Sequence, residues 1–294
     1  MSNLFCFGLG YTAMALGRRM NTTRGWRVSG TCRKPARRAA LGALGIEAAL
    51  FDGSAPMDRP ELLAQATHVL LSIPPDADGD PAYRHHAADL AADLARAEKL
   101  EWVGYLSTTG VYGDRAGGWV DETAELLATS DRGRRRIEAE AGWLAWGTET
   151  GIPVQLFRLA GIYGPGRSAA DQVKAGTAKR IDRPDHLFSR IHVEDAATVL
   201  AASIARPRAG GIYNVCDDEP AAPADVVAYV CELLGIEPPP LVPFEDAYAE
   251  MSPMARSFWA DDRRVRNDRI RDELGVALAY PDYRTGMRAV LGLA

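Results

Sequence analysis

Short apolar runs alternate with stretches of helical spacing through the first half of the chain. The apolar runs are NLFCFGL, WRVSGTC, IEAALFD, THVLLSI, LEWVGYLST and PVQLFRLA. The stretches between them, such as AMALGRRMN, PARRAALGAL and AADLAADLARAEK, are rich in alanine or carry apolar residues at helical spacing. Apolar runs separated by helices are typical of strands buried on both faces of a parallel sheet. The pattern therefore predicts an α/β protein with a doubly wound parallel sheet.

The regular alternation ends near residue 160, where glycine and proline cluster in GIYGPGRS. The segments RIHVEDAATVLAASIA, GGIYNVCDDEP and the proline-rich EPPPLVP follow before an irregular tail. We therefore expect residues 1–164 to form the sheet domain, with a return segment near 188–207. Residues 165–294 are expected to form a smaller α/β lobe.

Composition and charge narrow the range of functional classes. With 294 residues, 47% of them hydrophobic, the chain can bury a sizeable core. No apolar run reaches the ~18 residues that cross a bilayer, and no signal peptide is recognisable, so we expect a cytoplasmic protein that does not bind membranes. The net charge of −5, with acidic and basic residues interspersed, argues against a nucleic-acid surface.

The cysteines carry no recognisable chemistry. They show no C-x-x-C spacing, and they are Cys6, Cys32, Cys216 and Cys231. In a reducing compartment such residues are typically buried thiols. We therefore expect neither a disulfide nor a metal site.

A G-x-G-x-x-A pattern follows the first apolar run and opens a predicted helix. Its residues are Gly8, Leu9, Gly10, Tyr11, Thr12 and Ala13. Such glycines permit a tight turn and a close approach of the backbone to a pyrophosphate, while the helix N-terminus presents free N–H groups. A simple strand-to-helix turn would also fit the pattern. Its position after the first strand favours a Rossmann-type dinucleotide site.

The end of the second apolar run bears on which dinucleotide is bound. An acidic residue there would accept hydrogen bonds from the adenosine ribose of NAD. The chain instead has Thr31, Arg33 and Lys34, whose hydroxyl and positive charges suit the 2′-phosphate of NADP. NADP is therefore the expected cofactor, with NAD as the alternative. Arg33 and Lys34 could also be solvated charges at the start of a helix.

Two further strand ends are expected to line the dinucleotide. Asp52 follows the third apolar run and could accept a hydrogen bond from the adenine amino group, although an aspartate before glycine also forms turns. Ser72, Pro74 and Pro75 close the fourth run, where the chain is expected to pass the sugars of the cofactor.

Five segments resemble, in order and at compatible spacings, the extended short-chain dehydrogenases/reductases, the epimerase and dehydratase group that acts on nucleotide sugars. They are LSTTGVYGD, RGRRRIEAE, RLAGIYGPG, RIHVEDAA and GGIYNVCDDEP. Together with Gly8 they extend the resemblance over nearly the whole chain. The resemblance implies a Rossmann fold, a nicotinamide cofactor and a C-terminal lobe that binds substrate.

The resemblance also assigns catalytic positions. In this family a serine or threonine after the fifth strand holds the substrate hydroxyl, and the matching residue is Thr108. A tyrosine, assisted by a lysine four residues later, then transfers the proton. Aligned on IEAE, these two positions are occupied by Arg132 and Arg136. An arginine stays protonated and cannot act as a general base, so the chain resembles atypical members that lack the Tyr–Lys pair.

Two uses of these arginines remain open. Positions 132 and 136 share one helix face, so both could face the cleft and bind a carboxylate, a phosphate or the cofactor. Alternatively, RGRRR is a solvated basic stretch paired with Glu138 and Glu140. Weaker candidates for the missing proton donor are Tyr112, Tyr163 and His192.

The sequence therefore predicts an NADP(H)-binding oxidoreductase, or an epimerase- or dehydratase-like enzyme, for a small and conceivably anionic substrate. The alternative is a sensor or scaffold that binds the cofactor without turnover. A homodimer is expected through the apolar helices at 82–98 and 133–149, although Trp143 and Trp146 could instead pack on the sheet.

Overall fold

A computed structural model describes residues 1–23, 25–91 and 100–293. Its strands are β1 (Ser2–Phe7), β2 (Trp26–Cys32), β3 (Glu47–Leu50), β4 (His68–Leu71), β5 (Trp102–Thr108), β6 (Trp119–Val120), β7 (Val154–Leu159), β8 (Gly161–Tyr163), β9 (Arg180–Asp182), β10 (Arg190–His192), β11 (Gly211–Val215), β12 (Leu241–Pro243) and β13 (Arg264–Val265). Its helices are α1 (Tyr11–Asn21), α2 (Pro35–Ala43), α3 (Pro60–Ala64), α4 (Pro81–Ala91), α5 (Asp131–Thr150), α6 (Ala169–Lys174), α7 (Val193–Ala205), α8 (Pro223–Leu234), α9 (Phe244–Glu250), α10 (Pro253–Trp259), α11 (Asp268–Asp272) and α12 (Tyr283–Leu291). Thr109–Tyr112 form a short 3-10 turn.

The central sheet is parallel and has the strand order β11-β7-β5-β4-β1-β2-β3. Phe5 on β1 is paired with Ser29 on one side and with Val69 on the other. All six apolar runs of the sequence form strands of this sheet, and the predicted Rossmann-type α/β fold is confirmed. The strand order reverses between β1 and β4, so the carboxyl ends of these strands open a crevice there.

Alternating residues of each strand feed two separate cores, because successive side chains of a strand point to opposite faces. Leu4 and Cys6 of β1 pack with α1 and α7 on one face of the sheet. Phe5 and Phe7 of the same strand pack with α4 and α5 on the other. The sheet is thus covered by helices on both faces, as the long apolar runs predicted.

The second half of the chain returns to the sheet. Helix α7 packs against α1, and β11 then pairs with β7 at the edge of the sheet. The return segment that the sequence placed near 188–207 therefore extends to Val215. The rest of the lobe has a core of its own, built mainly from α6, α8 and α12.

A buried ion pair links α5 to the sheet. Arg158 on β7 donates from Nη2 to Glu140 of α5 at 2.8 Å, and the two side chains are 4% and 3% exposed. Nη1 of Arg158 donates to the Tyr112 hydroxyl at 3.0 Å, and that hydroxyl donates to Asn214 of β11 at 2.7 Å. The network fixes α5, the turn after β5 and the edge strand β11 to one another.

We expect Glu140→Gln to lower the free energy of unfolding by ~3–5 kcal/mol, because it leaves the Arg158 charge buried without its counter-ion. Urea denaturation measures the loss. The exposed Glu138, two positions earlier on the same helix, gives a matched control, since Glu138→Gln should change stability by no more than ~0.5 kcal/mol. Equal losses for the two variants would contradict this assignment.

The tryptophans of α5 pack inside the chain. Trp143 is fully buried and meets Tyr83 edge-on, with ring centroids 5.1 Å apart. Trp146 is 5% exposed and donates from Nε1 to the carbonyl of Ala87 at 3.2 Å. Neither ring is available for the helix-pair interface considered above, and residues 92–98 of that interface lie outside the described residues. The homodimer stays a prediction.

Cys6, Cys32, Cys216 and Cys231 are buried free thiols. Burial raises the pKa of Cys6 to about 12, so this thiol is inert near neutral pH. Among the described residues, every helix is too short or too polar to span a bilayer.

Candidate functional site

The glycine turn after β1 is held by hydrogen bonds to Thr31 of the neighbouring strand β2. Gly8 has φ of +90°, and a Cβ at this position would lie 2.7 Å from Cγ2 of Ile73. Its N–H donates to the Thr31 hydroxyl at 2.8 Å, while the N–H of Leu9 donates to the Thr31 carbonyl at 2.9 Å. A side chain at position 8 would break this turn, so Gly8 is required by the fold itself.

Gly10 differs from Gly8 in having open space beside it. Its φ of −89° suits any residue, it is exposed, and a Cβ built there meets no atom within 4 Å. It also caps the N-terminus of α1, where no side chain accepts hydrogen bonds from the first turn. Neither the backbone conformation nor the packing requires glycine here. A pyrophosphate close to the free N–H groups would require it, because a side chain at this position would obstruct the approach. The turn therefore fits a dinucleotide.

The next residues hold the turn in place. Thr12 is 5% exposed and Ala13 is fully buried, so both face the core. Tyr11 lies at the surface of the crevice and donates its hydroxyl to the carbonyl of Pro165 at 3.0 Å. The glycine turn is thereby tied to the GIYGPGRS segment.

The structure changes the role of Thr31. Its hydroxyl oxygen accepts the N–H of Gly8, and the residue is 1% exposed. The expected contact of this hydroxyl with a 2′-phosphate is not open in this conformation, because β2 turns the side chain inward toward the glycine turn. Thr31 positions the site from behind.

A basic rim remains at the end of β2. Arg33 and Lys34 are both exposed and have no ion-pair partner among the described residues. Arg37, one turn into α2, donates to the carbonyl of Leu9 at 3.5 Å. Asp58 is paired with Arg38 of α2 at 2.7 Å. The segment directly after β2 therefore offers the positive charges of Arg33 and Lys34.

The other predicted contacts lie along the same edge. Asp52 is exposed and accepts from the Ser54 hydroxyl at 2.6 Å and the Ser54 N–H at 3.0 Å, and these bonds lower the pKa of its carboxyl. This is the turn-forming use of Asp52 that the sequence left open. Ser72 is half-buried at the end of β4, and Pro74 is exposed just beyond it.

Thr108 ends β5 at the same edge of the sheet. Its Oγ1 accepts the N–H of Gly110 at 3.1 Å, which leaves the hydroxyl proton free to be donated. The residue is half-buried, so its hydroxyl can reach a ligand in the crevice. This placement fits the role that the resemblance assigned to it.

Arg136 lies beneath the crevice rather than in it. It is 7% exposed, its Nη1 donates to the carbonyl of Leu106 and, at 3.1 Å, to the hydroxyl of Tyr105. Burial raises the pKa of the nearby Asp80 carboxyl, and the charge of Arg136 opposes that rise. Arg136 is thus held by protein groups, which differs from the expectation that it would face a ligand.

Arg132 is one turn earlier on the same face of α5. It is exposed and has no partner among the described residues, so it can meet a ligand at the rim. Arg134 pairs with Asp131, and Glu140 binds Arg158 instead of the arginine run. The arginine run therefore matches neither alternative as a whole: Arg132 is exposed, Arg134 is paired at the surface, Arg135 is half-buried and Arg136 is buried.

The other candidate proton donors are structural in this conformation. Burial raises the pKa of Tyr112 to about 12, and its hydroxyl is bound to Arg158 and Asn214. Burial likewise raises the pKa of Tyr163, whose hydroxyl is enclosed. His192 is 2% exposed and caps α7 by accepting the N–H of Glu194 at 3.3 Å.

One residue of the site was missed by sequence reasoning. Arg263 lies on the segment that leads into β13, and its Nη1 donates at 3.0 Å to the carbonyl of Gly113 and at 3.0 Å to Asp261. Its Nη2 lies 3.8 Å from the point that a Cβ of Gly110 would occupy. No motif marks Arg263, because only the pairing of β13 with β6 brings it to the end of β5.

A cavity of about 350 Å³ opens at the opposite end of the sheet. It is lined by residues that include Asn3, Trp26, Arg27 and Gln65 at the amino ends of β1 and β2. Ligands of open α/β sheets bind at the carboxyl ends of the strands. The candidate site is therefore the crevice at the glycine turn and not this cavity.

Behind the crevice, Asp217 is buried at 1% exposure, and both oxygens of its carboxylate lack a hydrogen-bond partner. Burial raises its pKa to about 8, although the charge of Arg190 opposes the rise. In the unfolded chain the carboxyl loses its proton near pH 4. Stability contributed by the protonated form is therefore lost progressively between about pH 4 and pH 8.

We expect the free energy of unfolding of Asp217→Asn, relative to that of the wild type, to rise by at least ~1 kcal/mol from pH 5 to pH 8, because only the wild-type carboxyl ionises over this range. Urea denaturation at the two pH values measures the difference. Asp185→Asn, at an exposed aspartate, serves as the control. A stability gain of Asp217→Asn that is independent of pH would contradict the assignment.

No protein-family model matches the chain. It is 30% identical to Protein YeeZ of Escherichia coli strain K12 over 292 residues, which cover 96% of this chain and 97% of YeeZ. A solved structure of a functionally unknown conserved protein from Silicibacter pomeroyi is 49% identical, covers 99% of both chains and has a TM-score of 0.89. The dTDP-glucose 4,6-dehydratase of Bacillus anthracis in complex with NAD has a TM-score of 0.76 at 15% identity, covering 100% of this chain and 96% of the dehydratase, and shares the fold.

Proposed function

The chain belongs to the same family as Protein YeeZ of Escherichia coli, with similarity along nearly its whole length. We propose that it is an NADP(H)-binding oxidoreductase of the atypical short-chain dehydrogenase/reductase type. The glycine turn at the crevice carries this proposal. The dehydratase of the same fold was solved with NAD, which supports a dinucleotide in the corresponding crevice.

Gly10 is the single most telling observation. The turn could hold alanine without strain or clash, yet glycine stands where a pyrophosphate would come close to the backbone. The uncapped N-terminus of α1 supplies the complementary N–H donors and the positive end of the helix dipole.

The basic rim supports NADP over NAD. Arg33 and Lys34 are exposed and have no ion-pair partner among the described residues, so both can bind a 2′-phosphate. No acidic residue stands directly after β2, where one would accept from the ribose 2′-hydroxyl of NAD. The 2′-phosphate would gain charge-assisted hydrogen bonds there.

The chemistry at the end of β5 supports reduction more than oxidation. A bound nicotinamide would supply a hydride. Thr108 can donate a hydrogen bond from its hydroxyl to a carbonyl oxygen, and nearby arginines can stabilise the negative charge that develops on that oxygen. The resulting alkoxide would take its proton from water. Oxidation of an alcohol would need a base, and neither Arg132 nor Arg136 can accept a proton near pH 7.

A non-catalytic sensor of the NADPH/NADP state is the second candidate. The burial of Arg136 against Tyr105 favours it, because the cation at the lysine position is held by the protein instead of facing a substrate. A screen for NADPH oxidation against carbonyl compounds separates the two candidates. Binding of NADPH with no oxidation by any carbonyl class would favour the sensor.

We expect the protein to bind NADPH at least ~10-fold more tightly than NADH, because the 2′-phosphate adds charge-assisted hydrogen bonds at the basic rim. Arg33→Ala should reduce NADPH affinity ~5- to 10-fold and leave NADH affinity unchanged. Isothermal titration calorimetry measures both.

The matched control is Arg27→Ala, since Arg27 is an exposed arginine of β2 at the opposite end of the same strand. It should not alter the affinity for either cofactor. Equal affinities of the wild-type protein for NADPH and NADH would contradict the preference.

We also expect no detectable epimerisation of UDP-sugars, because general acid–base assistance contributes typically ~10²–10⁴ in rate and the tyrosine position is Arg132. Product formation is measured by chromatography for four proteins: the wild type, Thr108→Ala, Arg132→Ala and the double variant Arg132→Tyr with Arg136→Lys. Robust turnover by the wild type that is lost in Arg132→Ala would show that this arginine takes part in catalysis after all.

A further inference from the structure

We propose that Arg263 binds the carboxylate of a small carbonyl substrate beside Thr108, with Gly110 between the two side chains. The inference rests on the proposed function, whose substrate class it specifies. A carbonyl compound with a carboxylate on the adjacent carbon, as in a 2-oxo acid, fits this pair of donors best.

The first argument is that Arg263 is fixed before any ligand arrives. Its side chain is 16% exposed, and its Nη1 is held by the Gly113 carbonyl and by Asp261. Asp261 is itself held by the hydroxyl of Thr129 at 2.9 Å, just before α5. A guanidinium restrained in this way loses little conformational entropy when its remaining N–H groups bind an anion.

The second argument is that two donors lie on either side of Gly110. The position of a Cβ on Gly110 would lie 3.4 Å from Oγ1 of Thr108 and 3.8 Å from Nη2 of Arg263. The two donors are therefore within about 7 Å of each other, a separation that one small ligand hydrogen-bonded to both can span. The hydroxyl of Thr108 suits a carbonyl oxygen, and the guanidinium suits a neighbouring carboxylate.

The third argument concerns charge. Burial lowers the pKa of the Arg263 guanidinium, and Asp261 opposes this, so the residue stays a cation near neutral pH. Two further acids, Asp114 and Asp262, also act on Arg263. Asp114 accepts the N–H groups of Asp262 at 2.8 Å and Ala116 at 3.2 Å. Arg132 adds a second positive charge at the rim.

Two substitutions at Gly110 test the subsite without removing any bond of Arg263. Gly110→Asp and Gly110→Asn add side chains of equal size, and a Cβ at this position would make only ordinary van der Waals contacts. Only the aspartate would pair with Arg263 and neutralise it. The probes are oxamate, which carries a carboxylate beside a carbonyl, and its uncharged analogue oxamide.

We expect calorimetric titration to show that wild-type protein prefers oxamate to oxamide, and that Gly110→Asp binds oxamate at least ~10-fold more weakly than Gly110→Asn. Equal oxamate affinities for the two variants would overturn the inference. So would a wild-type protein that fails to bind oxamate or that binds oxamide equally well.

Arg263→Lys gives an independent readout, because lysine keeps the charge and loses the planar fork. It should weaken oxamate binding ~10-fold, with NADPH affinity and the urea midpoint measured alongside to detect a structural loss. Every titration is run with and without NADPH. Failure of NADPH to bind would count against the proposed function, whereas loss of the difference between oxamate and oxamide would count against the subsite.

Discussion

The buried ion pair between Arg158 and Glu140 is the interaction on which the candidate site depends. It joins β7, the strand next to the edge strand β11, to the helix that begins at Asp131, and through Tyr112 it reaches the turn that follows Thr108. Each charge would be costly alone, and each is satisfied by the other. The start of α5 and the turn after Thr108 are therefore positioned by buried groups beneath the crevice.

Contacts of Arg136 and Glu140 explain how helix α5 keeps its place on the sheet. Arg136 anchors to the end of β5 through the Leu106 carbonyl and Tyr105, and Glu140 anchors to β7 one turn later. The helix is thus held by electrostatic contacts at successive turns. The position of Arg132 at the rim follows from these anchors, because it shares their face of the helix.

The sequence predicted the sheet well because each strand is buried on both faces and appears as a continuous apolar run. The glycine turn was equally recognisable, since its glycines, its helix start and its place after β1 all lie within a few residues. Side-chain direction was harder to predict. Thr31 and Arg136 turned inward because of partners far away in sequence, Gly8 and Leu106, and local patterns carry no record of such partners. Arg263 was missed for the same reason.

The first 164 residues depend for their folding on segments that follow them in the chain. Residues 211–215 form the edge strand beside β7, and α7 covers the apolar face of α1. A fragment ending at residue 164 would leave β7 as an unpaired edge and expose the surface that α7 now covers. Residues 1–164 therefore lack parts that complete the sheet and its helix layer, and we expect a truncation or fusion boundary at that point to yield an aggregation-prone polypeptide.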